Sequence, residues 1–202
     1  GTEDKPQPDL SFDASGDFFL SRSAANIARV WAVNNAYDAE LADFENVFAI
    51  STDGERVVGA DEAFRMHVYN TEGGSESFYS DGHGDNMTAA EFNPNGRFLL
   101  TGDRSGSLIQ WDLETEREDF RWFPQQGEIT DIIYNAEGRY AIIQSANGAS
   151  LWDVEGRTVS RQVGATAAFV PNSDTVIYGD GANIITLDIA SRNELGRAAL
   201  PE

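Results

Sequence analysis

The sequence has no cysteine, a single lysine (Lys5) and only two histidines among 202 residues. Without cysteine there can be no disulfide, no thiolate nucleophile and no thiolate zinc site. With imidazole confined to His67 and His83, a Ser-His-Asp hydrolase is poorly supplied. Positive charge is scarce as well: 14 basic residues stand against 34 acidic ones, a formal net charge of −20. Such a chain repels polyanions, and no local basic patch offsets this, so nucleic acid is not an expected partner. No apolar run approaches the roughly 18 residues of a membrane-spanning helix. No transmembrane segment is therefore expected.

What is present is a globular composition, 41% hydrophobic and 11% aromatic, in a chain long enough to bury a sizeable core. All basic residues except Lys5 are arginines. An acidic, lysine-poor surface suits a salty medium, where counterions screen self-repulsion. An acidic proteome with arginine-rich codon usage explains the same bias. The opening residues, GTEDKPQPD, are polar, carry two prolines and show no periodicity. Residues 1–8 read as a linker or tether. Gly1 reads as a processed start with targeting information removed. The expected location is therefore exported (periplasmic, envelope-tethered or extracellular), with the cytoplasm as the alternative.

The strongest signal is an internal repeat. The turn FNPNG at 92–96 has relatives in FDASG at 12–16, ISTDG at 50–54, YNAEG at 134–138 and FVPNS at 169–173. Each is followed by a short apolar run, a Gly/Asn-rich loop, and a second run ending at Trp31, Tyr69, Trp111, Trp152 or Leu187. From Gly16, Gly54, Gly96, Gly138 and Ser173 to those end residues the step is always 14 or 15 residues. The runs are too short for helices and are bounded by turn signals, so they read as strands buried on both faces. A more polar fourth strand fits 76–80, 119–123, 159–163 and 194–200. One such unit cannot bury both faces of its own sheet, whereas stacked units can. Radial stacking gives a propeller.

These residues resemble the WD-repeat β-propellers, in the degenerate short form met in bacteria and archaea. The third repeat matches best: Gly82-His83 stands nine residues before Phe92, and Thr101 and Trp111 follow at the expected spacing. The resemblance implies a hydrogen-bonding network of His83, Thr101 and Trp111, with Ser105 in the position of the family's aspartate. The expected fold is all-β: about five four-stranded blades over 9–202, with repeats near 9–45, 46–86, 87–129, 130–164 and 165–202. Three arrangements fit the count: a small closed ring, an open arc, or part of a larger propeller completed by missing residues or a second chain. The complete or near-complete small propeller is preferred.

Most candidate sites resolve into structure. The loop DGHGDN at 81–86 looks like a ligand cluster, but the family places its inter-strand histidine there, so no metal is expected. His67 lies on a strand and reads as a packed or edge histidine. Trp31, Trp111 and Trp152 repeat in register and read as core, whereas Trp122 breaks the register and reads as a partner-binding aromatic. The loops between the second and third strands carry Arg22, Phe64, Arg65 and Arg104, and by resemblance that face meets partners. The resulting expectation is a non-catalytic protein-binding or scaffold module without cofactor, able to self-associate. The alternative is a small carbohydrate-active enzyme using Glu45, Asp85 and Glu128 at the mouth of the propeller.

Overall fold

The computed structural model describes residues 10–12, 16–22, 28–33, 38–41, 46–61, 63–80, 82–123, 127–171 and 173–200. The tether at 1–8 and Glu45 lie outside the described residues. All regular structure within them is strand, arranged as five four-stranded antiparallel sheets, each made of four consecutive strands. Sheet 1 holds β1 (Leu10–Phe12), β2 (Phe18–Arg22), β3 (Ala28–Ala32) and β4 (Asp38–Leu41). Sheet 2 holds β5 (Asn46–Ile50), β6 (Arg56–Ala60), β7 (Met66–Asn70) and β8 (Glu76–Ser80). Sheet 3 holds β9 (Met87–Phe92), β10 (Phe98–Asp103), β11 (Leu108–Asp112) and β12 (Arg117–Trp122). Sheet 4 holds β13 (Ile129–Tyr134), β14 (Tyr140–Ser145), β15 (Gly148–Asp153) and β16 (Thr158–Gln162). Sheet 5 holds β17 (Ala167–Phe169), β18 (Thr175–Gly179), β19 (Asn183–Asp188) and β20 (Glu194–Ala199). This is the architecture of a WD-like propeller.

The turns form for local reasons. In the third unit Gly96 sits at φ 74, its N–H donates to the Asn93 carbonyl, and the Asn93 side chain accepts from Asn95 N–H. Asparagine caps the turn and glycine takes the left-handed residue that closes it. The same turn then ties neighbouring units. The Asn93 amide donates to Gly138 O at 2.7 Å, and Arg56 donates to Gly96 O at 3.0 Å.

Side chains alternate along each strand, so every middle sheet has two apolar faces. In sheet 3, Leu99, Ile109 and Trp111 share a core with Val58, Val68 and Phe78 of sheet 2. Leu100 and Leu108 point the other way and pack with Ile143 and Trp152 of sheet 4. We call these the leading face, toward the preceding sheet, and the trailing face, toward the following one. Each fully buried aliphatic side chain contributes about 1.5–3 kcal/mol, so the stack is held mainly by these faces. The inner strands of the first four sheets follow suit, β1 packing on β5, β5 on β9 and β9 on β13, while the inner strand of sheet 5, β17, packs on the second strand of sheet 4, β14. No comparable packing joins sheet 5 to sheet 1 among the described residues.

A bulge recurs at one place. The pairing of third and fourth strands shifts between Val68 and Tyr69, Gln110 and Trp111, Leu151 and Trp152, and Thr186 and Leu187. It falls beside the end residue of each repeat, Tyr69, Trp111, Trp152 or Leu187, and such bulges add twist where sheets fan apart.

Candidate functional site

Two kinds of chain ends meet on opposite sides of the stack. On one side lie the turns between first and second strands. On the other lie the loops between second and third strands, together with the starts of the inner strands. The second side, here the loop end, carries the residues singled out in the sequence.

The loop from β6 to β7 is organised by Asp61. Its carboxylate accepts the N–H groups of Ala63 and Arg65 at 2.9 and 3.0 Å and the Arg65 Nε at 2.7 Å, while its carbonyl accepts Phe64 N–H at 2.9 Å. Burial pushes the Asp61 carboxyl up, but the hydrogen bonds from Arg65, His67 and Ala63 outweigh it and hold the carboxyl well below the usual range. The price of this tight loop is at Phe64, which is forced to φ 62 although it is not glycine. A bulky residue in the left-handed region is rare and strained. Its ring is 41% exposed.

Phe64 borders a cavity of about 340 Å³, lined also by Phe48, Met87, Thr88, Arg104 and Glu128. The structure therefore brings Phe64 and Arg104 together from different sheets, as well as Glu128. The Arg104 Nε stands 4.0 Å from the Glu128 carboxylate, both side chains are well exposed, and Arg104 N–H donates to Asn86 O at 2.9 Å. Arg65 sits beside this group with its guanidinium over the Tyr79 ring at 5.6 Å. Arg22 closes β2, and its side chain is outside the described residues. Asp85 accepts the Asn86 N–H at 2.7 Å in its own loop.

Under the Arg104 loop lies a buried polar chain. His83 reaches Asp103 at 3.0 Å through Nδ1 and Thr101 at 2.6 Å through Nε2, and the Trp111 indole N–H donates to Thr101 at 2.8 Å. The acid of this network is Asp103, not a residue standing in for it. The resemblance puts Ser105 in that position, whereas in the structure Ser105 is a donor to Asp103 at 2.7 Å. Asp103 also accepts Ser107 N–H at 2.8 Å, so one buried carboxylate fixes both ends of the 103–107 loop. Burial raises the Asp103 carboxyl, yet the bonds from His83, Ser105 and Ser107 leave it lowered. Gly82 precedes the network because any Cβ there would meet the Trp111 ring.

Trp122 is placed between sheets. It is edge-on to Trp152 at 5.2 Å, tilted against Phe120 at 4.4 Å, and donates to Arg157 O at 3.4 Å. Its neighbour Phe123 is the open aromatic, 71% exposed at the loop end of β12. Trp122, the last residue of β12, is half-buried, and Phe123 just beyond the strand is exposed. His67 lies between Glu76 and Asp61, 2.5 and 3.2 Å away.

Sequence reasoning also missed a groove at the opposite, turn end, about 550 Å³ between sheets 3 and 4. Its arginines are paired: Arg97 with Asp112 at 2.7 Å, Arg139 with Asp153 at 3.2 Å and Arg157 with Asp119 at 2.8 Å. The repeat itself held the clue, since Arg97 and Arg139 follow Gly96 and Gly138 in corresponding turns.

The family model for the WD domain, G-beta repeat, matches residues 75–112, the stretch from β8 to the end of β11. The chain is 24% identical over 157 residues to pre-mRNA-processing factor 19 homolog 2 of Arabidopsis thaliana, covering 72% of this chain and 29% of that protein. It is 24% identical over 202 residues to eukaryotic translation initiation factor 3 subunit I of Nematostella vectensis, covering 91% of this chain and 61% of the relative. It is 26% identical over 113 residues to the human angio-associated migratory cell protein, 54% of this chain and 26% of the relative. The chain thus spans between about a quarter and three fifths of the length of these relatives.

Proposed function

We propose, from a chain that carries a WD40 repeat within five WD-like sheets, that it is a non-catalytic scaffold that binds protein partners at its loop end. One observation carries this reading: Phe64 is held exposed at φ 62 on the rim of a cavity it shares with Arg104. The Asp61 hydrogen bonds that hold the loop also fix Phe64 in this strained, exposed conformation, so the aromatic is presented in one orientation. Aromatic and arginine side chains are also the groups that most often dominate protein interfaces. The matching partner surface has an apolar pocket for Phe64 and a carboxylate for Arg104, with Arg65 and Phe123 on the flanks.

Support from the relatives is of the same kind, because one carries a name that places it in a larger assembly, a translation initiation factor subunit. An exported, envelope-tethered location remains part of the proposal, supported by the polar, proline-bearing residues 1–8. Fractionation of cells expressing the full-length protein tests it. The binding reading is tested by affinity capture from native extract with the wild type, the Phe64→Gly/Arg104→Glu double variant and an Arg139→Ala control at the turn end. Partners retained by the wild type and the control but lost by the double variant support it. An unchanged partner set for the double variant overturns it.

A further inference from the structure

The turn-end groove between sheets 3 and 4 has a counterpart between sheets 2 and 3, of about 190 Å³ against about 550 Å³. The repeat lets their walls be compared position by position. The smaller groove is lined by Val68, Ser77 and Glu116, the larger by Gln110, Asp119 and Arg157. Val68 and Gln110 stand immediately before the outer-strand bulge, as Leu151 does in sheet 4, and Ser77 and Asp119 are the residues bulged out opposite. Glu116 and Arg157 are matching turn residues at φ 55 and φ 53. Val68 and Leu151 are core residues, 0% and 2% exposed. Where its equivalents fill a core, sheet 3 has an amide, and all three positions differ together.

That amide is only half satisfied. Gln110 is 5% exposed, and its Nε2 donates at 2.8 Å to Asp119, which also accepts from Arg157 at 2.8 and 2.9 Å. The Gln110 carbonyl oxygen is buried and has no donor. A buried acceptor without a donor costs stability, and valine or leucine at this position avoids that cost. The last torsion of a glutamine side chain is soft. A turn about it offers the oxygen to the groove, while Asp119 keeps both bonds from Arg157.

The charges around the groove select the donor. Its arginines are engaged, Arg97 by Asp112, Arg139 by Asp153 and Arg157 by Asp119. An anion would have to displace those carboxylates and would still bring Gln110 no donor. Glu137, by contrast, is exposed on the groove wall, accepts from the Asn135 amide and meets no arginine among the described residues. Among the described residues no three acidic or imidazole groups gather to hold a metal ion. An organic cation fits instead: its N–H groups satisfy Gln110 and Glu137, and a methylene stem lies along Phe98 and Val154 of the same groove. We propose that this groove seats an arginine or lysine side chain of a partner polypeptide. The net charge of −20 favours the approach of such a partner. Arg139 on the rim is taken up by Asp153 and is no part of the site. The groove lies at the opposite end from Phe64, so the inference does not rest on the loop-end reading.

Nuclear magnetic resonance of the isotope-labelled chain tests it. The Gln110 side-chain amide signals are identified as those absent from Gln110→Leu. Titration with an acetylated, amidated Ala-Arg-Ala peptide, or with its lysine counterpart, should move those signals and the Gly138 backbone signal to saturation. The citrulline counterpart, close to arginine in shape but neutral, should bind about tenfold more weakly or worse, because hydrogen bonds to charged groups are the stronger kind. Followed at Gly138, Glu137→Gln and Gln110→Leu should each weaken the basic peptide by about tenfold or more. Glu137 is exposed, so its variant decides the matter even where Gln110→Leu folds poorly. The Phe64→Gly/Arg104→Glu variant should bind the peptide like the wild type, so failure here and failure of the loop-end reading are distinguishable. No shift at Gln110, equal binding of the citrulline peptide, or Glu137→Gln binding like the wild type overturns the proposal. Tighter binding of spermidine than of either basic peptide assigns the groove to a free polyamine and overturns it as well.

Discussion

At the scale of single residues, Asp103 and Asp61 show how one carboxylate fixes a loop that presents an exposed side chain, Arg104 in one case and Phe64 in the other. Asp103 is fully buried and ionised only because His83, Ser105 and Ser107 surround it. Replacing His83 with alanine removes one of the hydrogen bonds to that buried carboxylate, and a hydrogen bond to a charged group contributes about 1.5–3 kcal/mol. Ser105→Ala removes one hydrogen bond among several and should cost about 1 kcal/mol; urea unfolding at neutral pH measures both. The pH dependence follows from the direction of the shift. A carboxyl lowered in the folded state binds fewer protons there than in the unfolded chain, so its contribution is present above the ordinary carboxylate range of about 4 and is lost as pH falls through the folded value. Asp61 and Asp103 are both lowered, so stability should drop on acidification, and by less in an Asp103→Asn variant. Phe64 gives the opposite expectation. Phe64→Gly relieves a left-handed conformation worth about 1–2 kcal/mol and should raise the urea midpoint while weakening partner capture. His83, Thr101 and Trp111 were legible in the sequence because their spacing is that of the repeat. Asp103 was not, since the 101–107 loop offers an acid and a serine two residues apart and only folding decides which turns inward.

At the scale of elements, the alternation of buried residues in β10, β11, β14 and β15 was readable because an apolar run between turn signals has few alternatives. The fourth strands were harder. β4, Asp38–Leu41, carries no apolar periodicity, and β12 begins two residues earlier than the aromatic run suggests. Outer strands are half in solvent, so their sequences are weakly constrained. The bulge in the outer-strand pairing of sheets 2 to 5 has no sequence signal of its own; it appears only in the pairing. Close approach between elements is a further property hidden from pattern reading. A Cβ at Gly102 would run into the Ile129 side chain of the next sheet, and one at Gly82 into the Trp111 ring. Gly102→Ala and Gly82→Ala should each cost about 1–3 kcal/mol by overpacking, seen as a lower unfolding midpoint with an unchanged slope.

At the scale of the whole molecule, the number of sheets was legible from the five turns, whereas the relation between first and last was not. Repeat spacing encodes how one sheet meets the next and says nothing of the angle accumulated over five. The charge, by contrast, was plain from composition. Repulsion within a chain of net charge −20 is screened over about 30 Å at 0.01 M salt and about 3 Å at 1 M. The melting temperature should therefore rise across that range, and a variant with several exposed glutamates changed to glutamine should rise less; scanning calorimetry decides. Ion pairs of the turn end, such as Arg97 with Asp112, act in the other direction and are weakened by salt, but exposed pairs contribute only about 0–1 kcal/mol.

Among the described residues each sheet is built from four consecutive strands, with no strand lent to a neighbour. During synthesis, then, a sheet can close as soon as its own forty or so residues leave the ribosome, and each finished sheet presents the surface on which the next one condenses. Growth of the molecule by whole units would need only duplication of a segment, not the rewiring of a strand.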